Sequence, residues 1–286
     1  MIRLLDTSRA ALSAYEAGAF DLERWKAYMR ANFPSAEAVC LADMRQSVSP
    51  QYPWEQAFLP VLNAAYRQKE AFGETVRTFH LVTENLEQRL QAVFGKTPDV
   101  KIVLYLGLCN GAGWVTELER ETVILLGIEK IIELGWYHPD DMNGLVLHEL
   151  GHAYQARFGV LDRAFESPAD GFLWQLFTEG IAMAFEQEAL GNADYFHQDR
   201  NGWKAWCGEH LGEIADGFAR DMHEMTRENQ RYFGDWAFFN GRPDVGYYLG
   251  ARLVRFAMRQ TAFDNLLCWT IDDVKRLFRD FRASLR

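Results

Sequence analysis

Apolar residues recur at steps of three and four along most of the chain, which is the spacing of one face of an α-helix. In the first third, the pattern predicts helices over residues 4–30 and 54–94, with interruptions at residues 33–35 and 47–53. Beyond Pro139 it predicts further helices over about 139–158, 171–190, 203–231 and 245–260, and a short one from about 271. We therefore expect a predominantly helical protein.

A different pattern occupies the segment between Pro98 and Pro139. Residues 100–106 and 122–126 are β-branched and apolar, and both runs are short, as is typical of buried strands. Between them, the sequence predicts an Asn-Gly turn at Asn110, followed by a third strand that reaches Thr116. The sequence predicts a small, largely antiparallel sheet of at least three strands, and hence an α+β fold.

The clearest punctuation in the first half of the chain is Gly95-Lys96-Thr97-Pro98. It divides a helical N-terminal region, residues 1–95, from a domain over residues 96–286. The domain is expected to contain the small sheet and a long helix (96–159), followed by a helical half (160–286). The N-terminal region carries no catalytic signature.

Composition and charge narrow the range of partners. The chain has 286 residues, of which 49% are hydrophobic and 24% charged, and this excludes a disordered protein. Its net charge of -10 repels phosphates and anionic lipids, so we expect neither nucleic acid nor a membrane as partner. The chain has no apolar run of signal-peptide or membrane-spanning length, so the expected location is the cytoplasm.

The sharpest chemical feature is the motif His148-Glu149-Leu150-Gly151-His152, in the middle of the helix predicted between Pro139 and a left-handed cap at Gly159. Residues four apart project from the same face of a helix, so both imidazoles can bind one ion. Zinc suits this pair, and a catalytic zinc site uses three protein ligands and leaves one position for water. Glu149 points away from the ligand axis and can accept a proton from that water. A glycine in mid-helix indicates a close neighbour, for which a crossing strand is one candidate.

The third ligand decides the class of site. A metzincin would continue the motif with glycine and histidine, but Gln155 and Phe158 occupy those positions, so that class is excluded. A glutamate from the following helix is the alternative, and Glu179 in Thr-Glu-Gly-Ile-Ala supplies one. Glu166 and Asp170 are further candidates, although Asp170 is better placed as the cap of that helix.

His-Glu-Leu-Gly-His followed by Thr-Glu-Gly-Ile-Ala resembles the gluzincin metallopeptidases, whose third zinc ligand lies in a helix of the latter type. The resemblance implies that His148, His152 and Glu179 bind Zn²⁺ and that Glu149 is the general base. It also implies a thermolysin-like core, with the sheet over the metal-binding helix and a helical lower half. Twenty-six residues separate His152 from Glu179, a longer connection than in the best-known gluzincins.

A second resemblance covers roughly residues 100–260. The segment from Pro243 to Gly250 is similar to a Pro-x-x-Gly-Tyr-x-x-Gly segment in an uncharacterised bacterial family of predicted zinc-dependent proteases. It implies that Tyr247, or alternatively Tyr248, donates a hydrogen bond to the developing oxyanion. A place in the aromatic core is an equally good interpretation of both tyrosines. The segment around Trp114 likewise resembles an edge strand that binds an extended peptide.

These features predict a zinc-dependent hydrolase that cleaves peptide bonds with a metal-activated water and Glu149 as the base. A peptide or protein is the expected substrate, although a small non-peptide substrate also fits the hydrolytic residues. The alternative from another class is a non-catalytic, zinc-containing protein that binds peptides or regulates a partner. A structural zinc site has four protein ligands and a catalytic one has three, so the number of ligands distinguishes the two.

Overall fold

A computed structural model of the chain describes residues 1–50, 52–234 and 236–286. It confirms an α+β protein that is mostly helical. The chain is divided into two compact units, Met1–Glu149 and Leu150–Arg286. The domain boundary predicted at residue 95 stays a prediction. None of the helices in the described ranges has the length and hydropathy that crossing a bilayer requires.

The strands lie in the first unit. They are β1 (Ile2–Asp6), β2 (Tyr15–Glu16), β3 (Ala19–Phe20), β4 (Val100–Tyr105), β5 (Gly113–Leu118) and β6 (Glu121–Gly127). The same unit contains α1 (Ser8–Ala11), α2 (Leu22–Asn32), α3 (Pro34–Ser47), α4 (Leu59–Arg67), α5 (Lys69–Thr83), α6 (Leu86–Phe94) and α7 (Ile128–Leu134). The helix α8 (Pro139–Phe158) begins in this unit and ends in the second.

The main sheet has the strand order β1-β4-β6-β5. Strands β1, β4 and β6 are parallel, and β5 alone runs antiparallel, against β6. The prediction of a largely antiparallel sheet is therefore wrong. The Asn-Gly pair at Asn110 belongs to a longer loop, and the tight hairpin turn lies instead at Glu119 and Arg120, whose φ angles are 52° and 68°.

Residues 2–6 form β1, where the apolar pattern predicts the start of a helix. Leu4 is opposite Ile102 in the parallel register with β4. Five residues are too few to show a period, and their conformation depends on a partner strand almost one hundred residues further along the chain. The interpretation as helix fails because the deciding contact is not local.

The sheet is held at the end of β4 by α2. The backbone N–H of Leu106 donates to the hydroxyl of Tyr28 at 3.1 Å, and the indole of Trp25 donates to the Leu106 carbonyl at 2.8 Å. Both aromatic side chains are buried. These bonds fix the point at which the chain leaves the sheet and enters the loop that leads to β5.

The second unit is built from helices. After the end of α8 it contains α9 (Pro168–Leu190), α10 (Trp203–Glu209), α11 (Leu211–Asp221), α12 (Val245–Met258), α13 (Phe263–Leu266) and α14 (Ile271–Ser284). The single helix predicted over 203–231 is divided between α10 and α11 and ends at Asp221. Beyond it, the side chains of Thr226 and Asn229 bond to backbone N–H groups, which favours a turn over a helix.

Helices α9 and α12 cross at a pair of glycines. A Cβ atom on Gly180 would lie 2.3 Å from the carbonyl oxygen of Gly250, and one on Gly250 would lie 2.6 Å from that of Leu176. Only glycine permits backbones to approach this closely. The crossing fixes the position of the residue that precedes Gly180, which is the predicted ligand Glu179.

Candidate metal centre

Helix α8 carries the two histidines, as the sequence predicts. It begins at Pro139, has Asp140 and Asp141 in its first turn, and ends at Phe158. The prediction of a left-handed cap at Gly159 is wrong, because the φ angle of Gly159 is not positive. Gly159 instead permits a close approach, because a Cβ atom there would lie 2.1 Å from the carbonyl oxygen of Leu267.

Gly151, between the two histidines, is the contact point of α8 with α9. A Cβ atom on Gly151 would lie 2.8 Å from the Cα atom of Ala182, a backbone atom that cannot move aside. The close neighbour expected from the sequence is therefore a helix and not a crossing strand. Because Glu179 precedes Ala182 by three residues, this contact brings Glu179 to the histidines.

The three predicted ligands come together. One ring nitrogen each of His148 and His152 and a carboxylate oxygen of Glu179 all lie within 4.8 Å of one another. The Nε2 atom of His152 is 3.3 Å from Oε2 of Glu179. Ligand atoms of a tetrahedral ion with bonds of roughly 2.0–2.1 Å are about 3.3–3.4 Å apart, so this spacing suits coordination. The group could hold a metal ion.

The other two candidates for the third ligand are not part of the group. Glu166 is exposed in the connection between α8 and α9. Asp170 accepts a hydrogen bond from the ammonium group of Lys275 at 2.8 Å. Its predicted role as the helix cap is also wrong, since α9 begins at Pro168 after Ser167 as the N-cap residue.

Glu149 is buried, with 6% of its surface exposed, and lies against strand β5. A Cβ atom on Gly113 would be 2.6 Å from both Cγ and Oε1 of Glu149. The first residue of β5 must therefore be glycine for the carboxylate to occupy this place. Glu149 thus lies beside the backbone of β5 and is next in the chain to His148, a member of the group that could hold a metal ion.

The two tyrosines have different surroundings. Tyr248 is buried, stacks on Phe196 and lies beneath the guanidinium group of Arg252, whose carbon is 4.7 Å from the ring centroid. This confirms the aromatic-core interpretation for Tyr248. Tyr247 is half-buried and precedes Gly250, the residue at the crossing with α9, by one turn. Its role at the oxyanion stays a prediction.

Sequence analysis missed Glu129, which is 1% exposed. Its carboxylate accepts hydrogen bonds from the backbone N–H groups of Gly107 at 2.8 Å and Cys109 at 3.0 Å. Burial raises the pKa of Glu129 to about 7. The sequence did contain a signal for this residue, since Glu129 lies within the mostly apolar segment 125–132. A carboxylate in a segment that is expected to be buried needs hydrogen-bond partners.

Comparisons with protein-family models, curated proteins and solved structures found no match to this chain. A functional assignment therefore depends on the geometry and chemistry of the residues themselves.

Proposed function

We propose that the chain is a zinc-dependent metallopeptidase of gluzincin type. The observation that carries this proposal is the convergence of His148, His152 and Glu179, whose ligand atoms lie within 4.8 Å of one another. Two imidazoles and one carboxylate are a donor set of catalytic zinc sites. Three protein ligands are also the number that leaves a coordination position for water.

When bound, zinc would supply acidity to a water molecule and polarise the carbonyl group of the peptide bond. Glu149 then takes up the proton of the attacking water and delivers it to the leaving amine. Glu149 is buried, so its carboxylate is shielded from bulk water. It directly follows the proposed ligand His148 in the chain. Tyr247 donates a hydrogen bond to the carbonyl oxygen as negative charge develops there.

Strand β5 offers a backbone edge for an extended substrate. The N–H of Gly127 in β6 donates to the carbonyl of Ala112 at 3.0 Å, which fixes the alternation of bonding directions along β5. By this alternation, the backbone groups of Gly113, Val115 and Glu117 point away from β6. In the described residues no further strand pairs with this side of β5. An extended peptide can therefore bind there as an added strand.

The edge also gives the substrate its position. Gly113, the first outward-pointing residue of β5, lies against Glu149. A peptide that pairs with β5 thus passes beside the proposed base. This arrangement favours peptides and extended protein segments as substrates over small molecules, which have no backbone to pair with the strand.

Metal analysis and a cleavage assay test the proposal together. We expect about one equivalent of zinc per chain, and its loss in His148→Ala, His152→Ala and Glu179→Ala. Glu149→Gln should retain zinc but lose hydrolysis of a peptide library by about a thousandfold or more, because the base is removed. His138→Ala, an exposed histidine just before α8, is the control and should retain both properties.

Two outcomes would contradict specific parts of the assignment. A full equivalent of zinc in Glu179→Ala would assign the third ligand to another residue. Hydrolysis by Glu149→Gln at a rate near that of the wild type would remove Glu149 from the role of base.

The alternative is a zinc-containing protein that binds a peptide without cleaving it. The open edge of β5 favours this candidate to the same degree, since strand addition requires no catalysis. Zinc retention and peptide binding by the wild type, with no cleavage of any library member, would support the alternative over the peptidase.

A further inference from the structure

The loop between β4 and β5 is bound from inside the protein by one carboxylate. Glu129 lies in the first turn of α7, and each of its two oxygens accepts a backbone N–H of this loop, from Gly107 and from Cys109. Glu129 is buried, and hydrogen bonds to an ionised carboxylate are stronger than hydrogen bonds between neutral groups. The carboxylate therefore clamps the beginning of the loop.

The loop has a conformation that requires such a clamp. Cys109 has a φ angle of 59°, in the left-handed region that favours glycine. A Cβ atom on Gly107 would lie 2.5 Å from Oε1 of Glu129, and one on Gly127 would lie 2.6 Å from the carbonyl oxygen of Gly111. The loop is thus fitted closely around the carboxylate and the end of β6.

On its other side the loop is tied to α3. The side-chain amide of Asn110 donates to the carbonyl of Cys40 at 2.9 Å and to the carboxylate of Asp43 at 2.8 Å. The loop then ends at Gly113, whose backbone lies against Glu149. A displacement of the loop would accordingly move the first residue of β5 relative to the proposed base.

We infer that Glu129 is a positioning residue of the proposed site: its ionised carboxylate holds loop 107–112 so that Gly113 and the edge of β5 are seated against Glu149. This inference rests on the proposed function. Glu129 itself does not contact the substrate in this role.

Several titratable or charged groups face Glu129 from the elements packed around it. They are Tyr15 of β2, Tyr28 of α2, Cys40 of α3, Tyr105 of β4, Cys109 of the loop and Lys130 of α7. Burial raises the pKa of Tyr28 and of Cys40 to about 12, and it raises the pKa values of Tyr15 and Tyr105 as well. The four groups therefore stay protonated at neutral pH.

Glu129 itself titrates in the neutral range, because burial raises its pKa to about 7. The ionised form accepts both N–H groups as a charged acceptor, whereas protonation removes the charge and weakens these two bonds. The clamp should therefore tighten, and peptidase activity should rise, as the pH increases through about 7. Stability should change in the opposite direction, since a folded state that binds the proton more tightly loses stability when the proton leaves. A purely structural residue would move activity and stability together.

The experiment compares wild type, Glu129→Gln, Glu129→Asp and the control Glu133→Gln in the full chain. Glu133 lies four residues further along α7, is exposed and pairs with Lys130. The measurements are kcat/KM for a cleaved peptide between pH 6 and 9, zinc content, and hydrogen exchange of the backbone amides of residues 106–118.

We expect Glu129→Gln to retain zinc, to lose at least tenfold in kcat/KM at pH 8, and to exchange the amides of Gly107 and Cys109 faster. The rise in activity near pH 7 should become smaller in this variant, Glu129→Asp should recover part of the rate, and Glu133→Gln should match the wild type. In the wild type, protection of the two amides, corrected for intrinsic exchange, should increase between pH 6 and 8.

Wild-type kcat/KM and an unchanged pH profile in Glu129→Gln would overturn the inference. If Glu129→Gln does not fold, the inference is tested with Glu129→Asp and with hydrogen exchange of the wild type. Protection of the Gly107 and Cys109 amides that stays constant across pH 7 would also overturn the inference. A zinc-loaded wild type without peptidase activity refutes the proposed function instead, while the exchange measurement still reports on the clamp.

Discussion

At the scale of single residues, glycines decide where the two important glutamates can lie. Gly113 leaves the space that the side chain of Glu149 occupies, and Gly180 brings the backbone beside Glu179 to within contact of α12. A Cβ atom at either place would meet its neighbour at less than 3 Å. The positions of the carboxylates thus follow from the absence of side chains next to them.

The buried carboxylate of Glu129 should make the stability of the protein depend on pH. Its pKa is raised from 4.5 to about 7, so between these values the folded state holds a proton that the unfolded state has lost. Its contribution to the free energy of unfolding therefore decreases as the pH rises from 4.5 to 7, by about 3 kcal/mol in total, and is constant above 7. In urea unfolding, the wild type should therefore lose more stability between pH 5 and pH 8 than Glu129→Gln does.

Other groups titrate over this range, so the difference between the two proteins is the informative quantity. Glu133→Gln should follow the wild type at both pH values. A difference between wild type and Glu129→Gln that is the same at pH 5 and pH 8 would show that Glu129 has an ordinary pKa.

At the scale of elements, α9 is the helix on which the site depends. Its residue Ala182 contacts the backbone of α8 at Gly151, and its residue Gly180 contacts α12 at Gly250. Glu179 directly precedes Gly180 and lies three residues before Ala182, on a helix most of whose residues are buried. The packing of α9 against both neighbours therefore determines where the proposed third ligand lies.

Gly180→Ala tests this dependence. The added Cβ atom would lie 2.3 Å from a backbone oxygen, so α9 and α12 must move apart, at a cost of about 1–3 kcal/mol in stability. We also expect weaker zinc binding, measured by competition with a chelator, because Glu179 is displaced. Gly171→Ala on the same helix has no atom within 4 Å of its new Cβ and should instead stabilise the protein by about 0.5–1 kcal/mol. Equal effects of the two substitutions would contradict the role of the crossing.

At the scale of the whole molecule, metal binding should be linked to stability. A ligand that binds only the folded state stabilises it by about 4 kcal/mol when its free concentration is a thousandfold above its Kd. Treatment with a chelator should therefore lower the unfolding temperature, and one equivalent of zinc should restore it. The change should be absent in His152→Ala, which lacks one of the three proposed ligands.

Calorimetry with and without zinc measures this linkage. Magnesium at the same concentration is the control, because it prefers oxygen ligands over imidazole. An unfolding temperature that does not respond to zinc in the wild type would contradict metal binding by this group.

The sequence by itself determined the long helix α8 and the two histidines one turn apart on it, because helical period and residue type suffice to define these local features. Glu179 was a candidate third ligand through the resemblance of its segment to the gluzincins, and its place beside the two histidines depends on how the helices pack. The predominance of helix and the α+β class follow from the same patterns.

Only the tertiary structure decided the parallel order of the sheet, the strand formed by residues 2–6, the helix as the neighbour of Gly151, and the buried clamp at Glu129. Each depends on a contact between residues far apart in the chain, and the apolar pattern of a segment does not specify its partner. Residue types and their spacing define which groups can bind a metal, whereas packing decides which backbone lies beside them.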